Sequence, residues 1–113
     1  MDNETLKELK ERLLFLKKEI RLRIEENSDK VNIKEHGDVG DYSHAIYTKE
    51  VIYDLLEKDR KRLQEVEESL YRIGNGSYGK CARCGKEIEV ERMKAKPTAK
   101  YCIECRKIVE SGR

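Results

Sequence analysis

Leu6, Leu9, Leu13, Leu16 and Ile20 recur at spacings of three, four, three and four, with Lys and Glu between them. That rhythm puts one apolar stripe along a helix. Leu14, Phe15, Leu22 and Ile24 widen the stripe and read as further core. Asp2 or Asn3 supplies an N-cap, and Asn27-Ser28-Asp29 predicts the end, giving a helix over about 3–27. At ~1.5 Å per residue such a helix is roughly 37 Å long. A second stripe runs through Ala45, Ile52, Leu56, Leu63, Val66, Leu70 and Ile73, interrupted by Lys49 and Asp59. Asp59 reads as a satisfied charge at the edge of the seam; the sharper alternatives are that it marks a partner or sets the register by pairing with a lysine such as Lys17. Asp41 or Ser43 is the expected cap of this helix, and Gly74 its left-handed C′ residue.

Residues 28–44 between the stripes lack helical periodicity and contain Gly37 and Gly40, which predicts a tip loop. Two helices of similar length joined this way predict an antiparallel coiled-coil hairpin over 1–74. A monomer is expected ahead of a dimer, the alternative being a seam that pairs between chains. Beyond Gly74-Asn75-Gly76 the pattern changes. Lys86–Met93 alternates polar and apolar residues as a short strand would, predicting a small hairpin. Residues 103–111 predict a short terminal helix. The expected fold is mainly α, with a small C-terminal module over 75–113.

That module carries all four cysteines of the 113-residue chain: Cys81 and Cys84, then seventeen residues, then Cys102 and Cys105. Two thiolates separated by two residues grip one ion from a tight turn. Two such turns complete the tetrahedron of soft ligands that Zn²⁺ prefers. Gly85 follows the first pair, where the chain folds back around the sulfurs. One structural zinc is therefore expected at Cys81, Cys84, Cys102 and Cys105. Four cysteines leave no open coordination position, and no nucleophile–base set is evident, so no enzymatic activity is expected.

Charged residues make up 42% of the chain and hydrophobic ones 37%, too polar for a compact globule throughout. Long solvated helices on a metal-stapled unit suit that balance. No apolar run approaches the ~20 residues that span a bilayer. Met1-Asp2-Asn3-Glu4 opens without a basic or apolar leader pattern, so a reducing cytoplasm is expected. Residues 74–113 hold ten basic against five acidic side chains, within a net charge of only +2. Arg83, Lys86, Arg92, Lys94, Lys96 and Lys100 form a basic surface that suits an acidic partner face or nucleic acid. The near-neutral total argues against direct DNA binding.

Tyr78-Gly79, Cys81, Cys84-Gly85, Ile88, Glu91-Arg92, Ala95, Pro97-Thr98-Ala99, Cys102 and Cys105 together resemble the DksA/TraR C4-type zinc-finger family. The match covers about residues 37–107, and the Asn75–Gly79 approach resembles the YteA-like subgroup of spore-forming bacteria. The resemblance implies a bacterial transcription regulator that binds RNA polymerase and inserts its coiled-coil tip into the secondary channel. Two tip aspartates spaced DxxDxA approach the catalytic centre in such proteins. Here that motif falls on Asp38, Asp41 and Ser43, with serine where the family has alanine. Some members bind the alarmone ppGpp at a basic site. The corresponding stretch here mixes Lys58, Arg60 and Arg62 with Glu57 and Glu65, so the alarmone is not carried over. The rival readings are a zinc module that binds nucleic acid or protein through its basic face, and a redox- or zinc-responsive switch.

Overall fold

The computed structural model describes residues 1–36 and 42–112, with side-chain detail over 1–30 and 49–112. Its elements are α1 (Asn3–His36), α2 (Tyr42–Asn75), α3 (Val90–Ala95) and α4 (Ile103–Ser111). No described helix is long and apolar enough to cross a membrane. The chain divides into two compact units, Met1–Leu16 with Glu65–Arg113, and Lys17–Gln64. The unit that holds the cysteines takes in Glu65 onward together with the first turns of α1.

Asp2 caps α1: its Oδ1 accepts the Thr5 N–H at 2.7 Å and its carbonyl accepts the Leu6 N–H at 3.0 Å. The helix then continues to His36 instead of ending at Asn27-Ser28-Asp29. Asn, Ser and Asp each weaken a helix by only tenths of a kcal/mol, about 0.5. The first glycine of the chain is Gly37, and no proline precedes it. The helical span therefore takes in most of the stretch expected to be loop. α2 ends two residues later than expected. Gly74 and Asn75 remain helical, and Gly76, with φ of 80°, takes the left-handed position. The N–H of Ser77 then reaches back to the Arg72 carbonyl at 3.0 Å, closing a Schellman turn. Asn75 Oδ1 also accepts from the Ser77 N–H and hydroxyl, which is why the stop falls here.

In the unit Lys17–Gln64, Ile20 is buried, and Ile24 packs against buried Ile52 and Leu56. The two helices lie side by side with only five residues between His36 and Tyr42, so they run antiparallel. Asp59 is 8% exposed and pairs with Arg23, at 3.3 and 3.4 Å to its two oxygens, not with Lys17. An arginine matches a carboxylate with two parallel N–H donors, which lysine cannot do.

In the other unit Leu9 and Leu13 of α1 and Val66 of α2 are buried. Ser69 is also buried, its hydroxyl satisfied by the Glu65 carbonyl at 3.0 Å. Leu14 and Phe15 are exposed, as is Leu22 in the neighbouring unit; these widening positions are not core. The reason is geometric. A two-helix pair buries only a narrow stripe, and residues one step off it face water. The expected strand over Lys86–Met93 is also absent. A lone antiparallel bridge, Lys80 to Glu87, is followed by α3. Ile88 and Met93, five residues apart, are the buried anchors, a spacing that strand alternation does not produce. Pro97 ends α3 by forcing Lys96 into an extended conformation.

Truncating Leu13 to Ala should destabilise the protein by about 3 kcal/mol in urea unfolding, while Phe15→Ala should cost under about 1 kcal/mol. Equal losses at both positions would put Phe15 in the core.

Candidate metal centre

The first knuckle is formed by backbone that folds sharply on itself. The Cys81 N–H donates to the Lys86 carbonyl at 2.8 Å and the Gly85 N–H to the Cys81 carbonyl at 3.0 Å. Gly85 has a φ of 78°, which a side chain would strain. The second knuckle is the start of α4. Cys102 is its N-cap, and its sulfur accepts the Cys105 N–H at 3.4 Å. The Ala82 N–H donates to the Lys100 carbonyl at 2.8 Å, tying one knuckle to the other.

These turns bring the four sulfurs within 4.8 Å of one another. At a Zn–S distance of about 2.3 Å, the corners of a tetrahedron lie about 3.8 Å apart. Cys84 Sγ and Cys102 Sγ are 3.8 Å apart. The donor set and its spacing fit one tetrahedral Zn²⁺, and among the described residues this is the one cluster suited to a metal. The zinc is structural: four protein thiolates fill its coordination sphere.

The sulfurs are not equivalent. Cys81 and Cys105 are buried, Cys102 is half-buried and Cys84 is exposed. Burial opposes ionisation of Cys81, but N–H groups of Cys102, Cys84 and Arg83 outweigh it and bring the thiol down to about 6. Burial pushes Cys105 up to about 12, helped by hydrogen bonding with Cys102 and opposed by Arg83. Without metal the cluster therefore keeps some protons, and metal uptake must release them.

Between and beside the knuckles in sequence, Tyr78, Ile88, Met93 and Ala99 are buried. The Tyr78 hydroxyl donates to the Pro97 carbonyl at 2.7 Å. Burial raises its pKa to about 12, against the opposing charge of Arg12. Arg12 itself donates to the Lys94 carbonyl at 2.6 Å, fixing the first turns of α1 to the end of α3. Sequence reasoning missed both Arg12 and Arg23, because nothing in the pattern distinguishes them from other charged positions beside the stripes.

The six basic residues differ in their surroundings. Arg83 is exposed, with its guanidinium 3.8 Å from the Cys105 sulfur. Arg92 is half-buried, and its enclosed Nε has no hydrogen-bond partner among the described residues. Lys86, Lys94, Lys96 and Lys100 are exposed, with the Lys100 ammonium 5.5 Å from the Tyr101 ring centre. Lys86, Arg92 and Lys107 line a cleft of about 490 Å³, but Glu87, Glu89 and Glu104 line it too. Asp38 and Asp41 lie outside the described residues, as does the side chain of Ser43.

Residues 76–110 match the model of the prokaryotic dksA/traR C4-type zinc finger. An uncharacterised protein of Aquifex aeolicus is 35% identical over 97% of this chain and 79% of its own length. The RNA polymerase-binding transcription factor DksA of Escherichia coli K12 is 35% identical over 54 residues, 48% of this chain and 36% of that protein. The match thus spans about a third of the curated DksA relatives. Among solved structures, transcription factor DksA2 of Pseudomonas aeruginosa superimposes with a TM-score of 0.87 at 30% identity, over 97% of this chain and 86% of that one. The Dks protein of Chlamydia trachomatis L2 shares the fold at a TM-score of 0.61 and 21% identity.

Stripping zinc with a chelator at neutral pH should abolish the fixed tyrosine environment of this unit in near-ultraviolet circular dichroism, and zinc assay should return one ion per folded chain. A spectrum unchanged without metal would make the zinc dispensable. Tyr78 gives a second expectation. An unfolded tyrosine loses its proton near pH 10, whereas Tyr78 holds its proton to about 12. Between these values the unfolded state binds fewer protons, so raising the pH favours unfolding. Tyr78→Phe should remove this part of the alkaline loss, while costing about 1–2 kcal/mol at neutral pH by leaving the Pro97 carbonyl unpaired. Denaturation at pH 9 and pH ~11 for both proteins checks this.

Proposed function

The chain belongs to the prokaryotic DksA/TraR C4-type zinc-finger family, and on that premise we propose that it is a non-catalytic transcription regulator that binds bacterial RNA polymerase in the cytoplasm. The observation that carries the proposal is the extent of the likeness to DksA2, which takes in 97% of this chain and is not confined to the finger. A protein that shared only the zinc unit would share a common scaffold and no more. Here the long helix pair is shared as well.

In this reading the helix pair is the arm that enters the secondary channel of the polymerase. Asp38 and Asp41 are the effector residues, with Ser43 beside them. Carboxylates are hard oxygen ligands that interact with Mg²⁺ or with the mobile elements around an active centre. An arm of this kind performs no chemistry. It shifts the conformational equilibrium of the polymerase by binding one state more tightly than another. The charge pattern supports a protein partner over duplex DNA: the cleft of the zinc unit mixes acid and base, and the whole chain carries a net charge of only +2.

The test is binding of the labelled chain to core RNA polymerase from the same organism, beside an Asp38→Asn/Asp41→Asn variant, with transcription initiation read in parallel. Both proteins should bind saturably, and only the wild type should change initiation. Absence of saturable binding overturns the proposal. An active double variant removes the aspartates from it.

A further inference from the structure

Arg83 stands between the two cysteines of the first knuckle, yet its guanidinium reaches a sulfur of the second, Cys105, at 3.8 Å. Cys105 is the enclosed end of the cluster, 4% exposed, whereas Cys84 is open to solvent. Four thiolates around Zn²⁺ leave a net charge of −2, and burying anionic charge without a counter-charge is costly. Arginine keeps its proton at every relevant pH, and an N–H bond from a cation to an anion is about twice as strong as a neutral one.

We propose that Arg83 is the charge-compensating neighbour of the metal centre, holding the Cys105 thiolate in the ligand set and lowering its reactivity toward electrophiles. A thiolate that accepts a hydrogen bond from a cation shares its electron density with the donor, and the thiolate is the species that reacts. Neighbours of this kind tune a metal site through its ligands. The centre is therefore asymmetric. Electrophiles meet an exposed sulfur at Cys84 and a shielded one at Cys105. Arg83 is a positioning residue, and its contribution concerns the lifetime of the metal centre, independently of any polymerase contact.

The experiment uses the zinc-loaded chain and limiting N-ethylmaleimide, a neutral reagent. The thiolate sulfur adds to one ring carbon, and the neighbouring carbon takes a proton from water, leaving hydroxide and a thioether. Peptide mass spectrometry of quenched samples gives a labelling rate for each cysteine, and zinc release is followed with a metal-sensitive dye. In the wild type Cys84 should label before Cys105. Arg83→Met keeps the length and bulk of the side chain and removes its charge. It should raise the Cys105 labelling rate about tenfold, the lower end of what losing an outer-shell partner costs a metal site. Arg83→Lys should restore most of the protection. Wild-type rates at Cys105 in Arg83→Met overturn the proposal, as do equal rates in the Met and Lys variants, which would mean that bulk alone shields the sulfur. If Arg83→Met fails to take up one zinc, Arg83→Gln replaces it in the same comparison and is read by the same two criteria.

Discussion

Four sulfurs gathered within 4.8 Å cannot all carry charge unaided. At an effective dielectric constant of about 20, two unit charges ~4 Å apart repel by roughly 4 kcal/mol, and a tetrahedron has several such pairs. Local surroundings add a second difference: burial opposes ionisation of both Cys81 and Cys105, and only at Cys81 do backbone N–H groups outweigh it. A dication resolves the repulsion, and the rest of the unit relies on that resolution. The neighbouring apolar residues are few, and Tyr78, Ile88, Met93 and Ala99 alone make a small core. The Schellman turn after α2, the Gly85 fold-back and the capping of α4 by Cys102 all serve to deliver sulfurs to one point. The metal also bears on α1, since Arg12 is bound to the end of α3.

What could be read from the sequence was what local rules determine. Cysteine spacing identified the ligands, because two residues between thiols is a property of a single turn. The three-four rhythm identified Leu9, Leu13, Ile20, Ile52, Leu56 and Val66, all of them buried. Long-range information was harder to see. Phe15 looks like core by composition, but only the narrowness of a two-helix seam shows that it faces water. The chain stops α2 at Gly76, although Gly74 carries the same local signal, because Asn75 and Ser77 add hydrogen bonds that only the later stop permits. Strict alternation within Lys86–Met93 covers only Glu87–Glu91, with Ile88 and Val90 as its two apolar positions, too short to separate a strand from an extended turn followed by a short helix.

The charged residues show the same limit more sharply. Arg12, Arg23 and Arg83 are three among twenty-five basic side chains. Each has a specific acceptor far away in sequence: the Lys94 carbonyl, the Asp59 carboxylate and the Cys105 sulfur. Arg83 looked like part of a basic surface because its neighbours in sequence are cysteines and a small residue. Only the fold-back of the second knuckle shows that this exposed side chain also comes within 3.8 Å of a sulfur.

The Arg23–Asp59 pair has a consequence for how the two helices align. An apolar stripe is indifferent to small slips along its companion, since one leucine packs much like another. A buried carboxylate is not. Slipping α1 by a turn would take the guanidinium away from Asp59 and leave an enclosed charge unpaired, at a cost of several kcal/mol. The alignment the carboxylate accepts is the one that brings it Arg23, three residues after Ile20. A polar residue that weakens the seam in isolation becomes the mark by which its two halves find their place.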